Sequence, residues 1–393
     1  MTALFFGSGH AEWLARLREF GEEIVPVVKR KHLARYAGIS PLHTVTDLAS
    51  VDEVLAAGLR LAVEHHASRV LTLTEAAIVP VAVLRESLAL PGQPVAQALR
   101  FTNKYLMKQC LSRSGIPVTP FRLAAPPATA MASLGMPPPY MVKPVTGAGS
   151  VQVRRVPGQA QWDDWSCGRD GHPGLFLVER LVEMNAELHV DAVVAGGRVL
   201  FSCVSQYTRP LLELSGEIAG SYVLPETDPR VTPARDLHGQ VIEALGLEDG
   251  VTHLELFDTP AGMLVSEIAS RPAGGGITGA VELARGVDLV LAALALHLGA
   301  PLDLAPCAAR QTLAGWLGLP ARPGTVRELT PADELAKLPG VVTATSHYAA
   351  GDVITGQTTS TFHACTLLFE VEDGQALSEL QRAAGAAYRL AVT

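Results

Sequence analysis

Several features are scarce or missing in this 393-residue sequence, and each absence excludes something. Charged residues make up only 18% and the net charge is −8, so no basic surface is available to hold a polyphosphate backbone. Nucleic acid is therefore not an expected partner. Long apolar runs are missing as well. The longest helix-like one, 289–296, is bracketed by Asp288 and His297 and falls far short of the ~20 residues of a membrane span. It reads as a buried helix, and no membrane partner is expected. The N-terminus enters a strand-like Ala3-Leu4-Phe5-Phe6 with no basic leader, long apolar stretch or small-residue cleavage site. The expected location is the cytoplasm. Cysteine is sparse: Cys110, Cys167, Cys203, Cys307 and Cys365 are odd in number and scattered, which fits reduced thiols better than a disulfide framework or a zinc site.

Familiar nucleotide fingerprints are incomplete too. Gly7-Ser8-Gly9 follows the first strand, but the third glycine of a dinucleotide turn is missing and no acid closes a second strand. A plain strand-to-helix turn is the better reading. No Gly-Lys-Ser/Thr follows a glycine run, and no Ser/His/Asp or Cys/His arrangement asks to be a covalent nucleophile. Internal repeats and low-complexity tracts are also absent.

What is present divides into four stretches. Residues 1–98 alternate strands (4–7, 23–28, 70–74) with helices (12–20, 52–65), the pattern of a parallel sheet with crossover helices. Residues 99–175 open with a helix capped at Thr102 and running to Ser114, then a Pro/Ala-rich connector, a strand over 140–143, a glycine loop and a strand from Val151. Residues 176–305 hold two strands joined through Gly196-Gly197, a helix over 234–246, a hairpin over 252–269 and a long apolar helix over 281–298. Residues 306–393 read as a small α+β unit.

The hairpin carries the sharpest chemical signal. A three-residue loop, Pro260-Ala261-Gly262, would pair Thr259 with Met263 and set Glu255 directly opposite Glu267. Facing carboxylates repel unless something neutralises them, and a hard divalent cation with oxygen ligands does so. Arg271 lies four residues after Glu267, so a continuing strand would point it the same way. Two acids and a guanidinium on one face suit Mg²⁺ and a transferring phosphoryl group, although a solvated face laced by a salt bridge has the same pattern.

Three further pieces are weaker alone. Thr146-Gly147-Ala148-Gly149-Ser150 lets backbone N–H groups approach phosphate oxygens, as ordinary hairpin loops also could. Lys143 precedes it and could reach a phosphate or snorkel. Lys104 and Lys108 sit near a helix start, where the macrodipole disfavours cations and an anion would repair the placement; a solvated lysine pair is the common alternative. Finally, an apolar edge ends at Glu179, and Glu187 follows in the next strand-like run.

Taken in order, these pieces resemble the ATP-grasp superfamily, and within it the L-amino-acid (dipeptide) ligase branch. The resemblance spans roughly residues 1–300, with the turn at Gly351-Asp352-Val353 similar to the extra C-terminal unit of the amino-acid ligases. It implies an α/β and α+β fold: an N-terminal parallel α/β domain (1–98), a small ATP-binding subdomain with the glycine loop (99–175), a large one with the metal and substrate site (176–305) and a C-terminal α+β unit (306–393). It implies ATP contacts from Lys104, Lys143, Gly147, Ala148, Gly149 and Ser150, a hinge at Glu179-Arg180-Leu181-Val182 and a ribose acid at Glu187. Glu255 and Glu267 would hold Mg²⁺, or Mn²⁺ in its place. Arg271, Lys104 and Lys143 would serve catalysis, with Arg271 and Gly274-Gly275-Gly276 at the substrate.

The implied activity joins a small-molecule carboxylic acid to an amine through an acyl phosphate, with ADP and phosphate released, an amino acid among the substrates and a homodimer left open. A bicarbonate-using carboxylase and a decayed nucleotide-binding regulator are the alternatives. One departure stands out: where many relatives carry Asn between the second acid and the arginine, this chain has Ala269.

Overall fold

The computed structural model of the chain describes residues 2–393 except 8–9, 127, 148, 150, 168–173, 212–215, 309 and 356–361. Its N-terminal part is a parallel sheet. Strands β1 (Thr2–Gly7), β2 (Glu23–Lys29), β3 (His43–Val45) and β4 (Arg69–Leu71) lie in the order β3-β2-β1-β4, all pairings parallel. Near-continuous apolar runs in β1 and β2 suit strands buried by crossover helices. Here α1 (Glu12–Glu19), α2 (Val51–Glu64) and α3 (Ile78–Ser87) pack on them. Ser50 caps α2 by accepting from the Glu53 amide, a start signal of the usual kind. β3 and α3 were not anticipated, and the strand expected over 70–74 stops at Leu71.

Two helices follow where one was expected: α4 (Val95–Thr102) and α5 (Lys104–Arg113). Asn103, not Thr102, is the cap. Its side-chain oxygen accepts from the Tyr105 and Leu106 amides, whereas the Thr102 hydroxyl turns back to the Ala98 carbonyl inside α4. Next, β5 (Phe121–Ala124), β6 (Tyr140–Pro144), β7 (Arg154–Val156) and β8 (Phe176–Arg180) form an antiparallel sheet of order β5-β8-β6-β7. Helix α6 (Gln159–Cys167) covers it, burying Trp162 and Trp165 against Tyr140, Val142 and Phe176.

The largest sheet has eight strands. It contains β9 (Ala186–Ala195), β10 (Arg198–Tyr207), β11 (Ala219–Val223), β12 (Gly250–Thr259), β13 (Gly262–Ala269) and β14 (Leu313–Pro320). The chain then runs through β15 (Gly324–Leu329), β16 (Val341–Ser346), β17 (Val353–Ile354), β18 (His363–Val371) and β19 (Leu390–Val392). The order β13-β12-β9-β10-β11-β14-β18-β16 carries the sheet past residue 306, while β17-β15-β19 form a small sheet of their own. The helices here are α7 (Val231–Leu245), α8 (Ile277–Arg285), α9 (Leu289–Leu298), α10 (Ala332–Leu335) and α11 (Gly374–Ala387).

Helices α8 and α9 replace the single helix expected over 281–298. Gly286, at φ +72°, ends α8 in the left-handed region, and the Asp288 carboxylate restarts the chain by accepting from the Val290 and Leu291 amides.

The β12–β13 hairpin also differs near its tip. Thr259 pairs with Gly262 across a two-residue turn, and Asp258, not Thr259, faces Met263. The extra residue is absorbed further on, where the register shifts at Ser266. That bulge restores the expected alignment, so Glu255 does lie opposite Glu267. No helix among the described residues is long and apolar enough to cross a membrane.

Candidate active site

An open cleft lies between the small β5–β8 sheet and one face of the large sheet. Period-two alternation places its polar residues. In β9, Glu187, His189 and Asp191 share a face, and in β12, His253 and Glu255 do; Leu188, Val190, Leu254 and Leu256 point the other way into the core with residues of α5 and α7. Glu187, Glu255, Glu267, Lys104, Lys143 and Arg271 all line the cleft.

The acids are held by cations. Lys104 Nζ donates to Glu267 Oε1 at 2.7 Å and to the Gly147 carbonyl at 2.6 Å, tying the second acid to the glycine loop. Burial would raise the Glu255 carboxyl, but the His253 hydrogen bond and charge, with Lys143 and Lys104, bring it below its usual range. Glu187 goes the other way: burial first, then the neighbouring Glu255 charge, pushes it up to about 8. One Glu187 oxygen accepts from the Leu211 amide at 2.8 Å.

Lys143 is oriented from behind. Its Nζ lies 2.7 Å from Glu179 Oε2, and Lys108 Nζ lies 2.6 Å from Glu179 Oε1. Lys108 also donates to Thr119 Oγ1 at 2.9 Å and to the Val265 carbonyl at 3.1 Å, which uses all three ammonium protons. Burial alone would raise the Glu179 carboxyl, yet the two lysines hold it well below the ordinary range. Burial lowers Lys108, while for Lys143 the acids outweigh burial and raise it. Lys104 and Lys108 are thus not the solvated pair that stood as the alternative: both are buried and each meets a different glutamate.

Arg271 does not continue the strand. β13 ends at Ala269, and the following bend brings Arg271 to the cleft, where Nε donates to Glu75 Oε2 at 2.6 Å and Nη1 to the Pro272 carbonyl at 2.9 Å. Glu75 lies between β4 and α3, so the N-terminal part of the chain braces the guanidinium. Gly274 and Gly275 line the cleft, and Gly276 starts α8 against Trp316. Glu179-Arg180-Leu181-Val182 sits elsewhere: Glu179 is beneath the lysines, Arg180 is exposed, and the Leu181 amide donates to the Pro139 carbonyl. Ser8, Gly9, Ala148 and Ser150 lie outside the described residues.

Sequence reasoning passed over a network beneath the cleft. Asp191 lies 2.6 Å from His189 Nδ1 and 2.9 Å from His253 Nδ1, and His253 Nε2 lies 3.4 Å from the Tyr207 hydroxyl and 3.6 Å from Glu255. His189 Nε2 meets Ser221 Oγ at 2.9 Å, and Ser221 Oγ accepts from Trp316 Nε1 at 2.8 Å. Ligand atoms of His189, Asp191 and His253 come within 4.8 Å of one another, but hydrogen bonds account for each of them. Burial would lower His253; Asp191 and Glu255 instead push it up to about 10. The signal was available: histidines and acids alternated with Leu and Val in strands otherwise fit for a core.

No family model matches the chain. An L-arginine-specific L-amino acid ligase of Bacillus subtilis is 30% identical over 359 residues, 89% of this chain and 85% of that protein. Among solved structures, an L-amino acid ligase from Bacillus licheniformis matches 100% of this chain and 99% of its own with a TM-score of 0.81 at 17% identity. A carboxyaminoimidazole ribonucleotide synthase from Aspergillus clavatus, complexed with ATP, matches 98% of each chain with a TM-score of 0.74 at 15% identity.

Fold and cleft define an ATP-grasp enzyme, a ligase that uses ATP to join a carboxylate to an amine. Within that superfamily the chain belongs to the L-amino acid ligases. The carboxylase and decayed-regulator alternatives are not favoured by these likenesses.

Proposed function

We propose that this ligase activates an amino acid as its acyl phosphate with ATP and passes the acyl group to the amine of a second small molecule, releasing ADP and phosphate in the cytoplasm. The observation that carries the reading is the Glu255–Glu267 pair on neighbouring strands, flanked in one cleft by Lys104, Lys143 and Arg271. Two carboxylates facing each other, each now compensated by a protein cation, are the oxygen donors a hard divalent ion takes. They would hold Mg²⁺, with Mn²⁺ as substitute, which when bound neutralises charge on the ATP phosphates. Ala269 offers no further oxygen, so water completes the set, as is common for Mg²⁺.

The chain's own groups supply the rest. Lys143, oriented by Glu179, and Lys104, beside Gly147, place two ammonium groups where the nucleotide phosphates enter. Gly147 and Gly149, with Ala148 and Ser150 between and after them, would offer amides to those phosphates and shut out water that hydrolyses an acyl phosphate. Glu187 is assigned to the ribose, and residues 179–182 to the hinge beside the base. Arg271, braced by Glu75, offsets charge on the phosphoryl group during transfer. Backbone amides at Gly274, Gly275 and Gly276 would polarise the carbonyl that the amine attacks.

A matrix of carboxylic acids against amines, scored by ADP release and product mass, tests the reading. ADP release requiring both an amino acid and an amine, with a condensed product in the mass spectrum, is expected. Turnover that needs bicarbonate instead of an amino acid would overturn it.

A further inference from the structure

The alignment of Glu255 with Glu267 hangs on one residue. Carried straight down from the Thr259–Gly262 pair, the β12–β13 ladder would set Ser266 opposite Glu255 and Glu267 opposite Leu254. Leu254 is buried in one cluster with residues of α5 and α7, so Glu267 would face the core. A one-residue slip moves every side chain of a strand to the other face. The extra residue at Ser266, entered directly after the Leu256–Val265 pair, is what turns Glu267 back to the cleft.

That bulge sits on β13, the end strand of the large sheet, where outward-facing backbone groups have no ladder to join. At Val265 both such groups are taken. Its amide donates to the Pro117 carbonyl at 2.9 Å, and its carbonyl accepts from Lys108 Nζ at 3.1 Å. Val118 makes a parallel bridge to Val265 beside them. Lys108 is fully buried, and its other two protons go to Thr119 Oγ1 at 2.9 Å and Glu179 Oε1 at 2.6 Å. Thr119 donates to the same Glu179 oxygen at 2.6 Å. One ammonium group thus ties together β13, the segment that enters β5, and β8. A buried polar network with every partner in place fixes a single arrangement.

Resting on the metal assignment above, we propose that Lys108 is a positioning residue for the divalent-ion site: it pins Val265, and with it the bulge that brings Glu267 opposite Glu255. The same ammonium steadies Glu179 behind Lys143. A side chain that touches neither nucleotide nor ion therefore sets both the phosphate lysine and the metal acids. Without Lys108, Pro117 still holds the Val265 amide, but the Val265 carbonyl is buried with no donor. Such a group is costly, and moving the bulge is how the strand turns that carbonyl to a new partner.

The test uses the full chain and Mn²⁺ alone, with the free ion followed by electron paramagnetic resonance, and then the Mg²⁺ concentration that half-saturates ADP release. Lys108→Met keeps the length of the side chain and leaves Glu179 paired with Lys143. It should bind Mn²⁺ at least about tenfold more weakly than wild type, as loss of a supporting partner does at other metal sites. The half-saturating Mg²⁺ should rise by the same factor. Lys143→Met should raise the KM for ATP yet bind Mn²⁺ no more weakly than wild type, because it removes a cation from the cleft. Wild-type Mn²⁺ affinity in folded Lys108→Met, or an equal loss in Lys143→Met, overturns the proposal. Should Lys108→Met not fold, the double variant Lys108→Met/Glu179→Gln is set against Glu179→Gln alone, from which it differs in the hold on Val265. The double variant should bind Mn²⁺ at least about tenfold more weakly, and equal affinities overturn the proposal. A wild type that binds no Mn²⁺ and releases ADP without a divalent ion overturns the metal assignment and the proposal with it, whereas a normal Lys108→Met overturns the proposal alone.

Discussion

Replacing Glu179 by Gln keeps the shape of the side chain and deletes the one negative charge shared by two enclosed ammonium groups. Those groups lie 2.6 and 2.7 Å away; Lys108 is 0% and Glu179 3% exposed, so water cannot take over at Lys108, whereas Lys143, at 11%, borders the cleft. Lys108 would keep only Thr119 and the Val265 carbonyl. Removing one partner of a buried pair costs about 3–5 kcal/mol, and that is the loss expected at pH 7. Burial already lowers Lys108, so it can shed its proton and limit the damage to that range rather than to twice it.

The same charge sets a pH signature. The carboxyl is depressed from 4.5 in the fold, so its contribution is present above that pH and disappears as pH falls. The gap between wild type and Glu179→Gln should therefore narrow below pH 4.5, by about 1.4 kcal/mol per pH unit. Urea unfolding followed by tryptophan emission suits the measurement, because Trp162 and Trp165 sit in the core under the same small sheet. A loss below about 1 kcal/mol at pH 7, or a gap indifferent to acid, would refute the reasoning.

Other expectations concern the cleft itself. Glu255→Gln and Glu267→Gln should each reduce ADP formation about a hundredfold or more at saturating Mg²⁺ with an unchanged circular dichroism spectrum; wild-type turnover in either removes the metal role. Asp191→Asn should cost most stability below pH 6.5 and progressively less as pH rises toward about 10, because a base raised in the fold contributes fully below its ordinary value and loses that contribution through its raised one. Urea midpoints at pH 6 and 9.5 check the sign, and a cost that grows with pH contradicts it. Hydrogen exchange at the Gly147 and Gly149 amides should slow on adding Mg-nucleotide while β6 changes little; exchange already slow and unaltered would mark a rigid turn.

Much of this site could be read from local pattern. Hairpin register alone aligns Glu255 with Glu267, although a three-residue turn puts the odd residue at the tip and the chain carries it at Ser266. The alignment survived because either position adds the same single residue. Lys104, Lys143 and the glycine loop carried enough order along the chain to suggest the superfamily. What escaped were the long-range partners. Lys108 meets Glu179 across 71 residues (179 − 108), Arg271 meets Glu75 across 196, and Trp316 meets Ser221 across 95. Local periodicity says which face a side chain takes, not what stands opposite it. The split of 281–298 was legible in Gly286 and Asp288, a stop and a start signal in a row that the strong apolar run masked.

The central claim is that the acid is activated by phosphoryl transfer to its carboxylate. Labelling that carboxylate with ¹⁸O and analysing the inorganic phosphate by mass spectrometry tests it most directly. Attack of a carboxylate oxygen on the γ-phosphorus, then displacement by the amine, moves one labelled oxygen into phosphate for each amide bond formed, with ADP as the nucleotide product. Phosphate without label, or label found in AMP, would contradict the account.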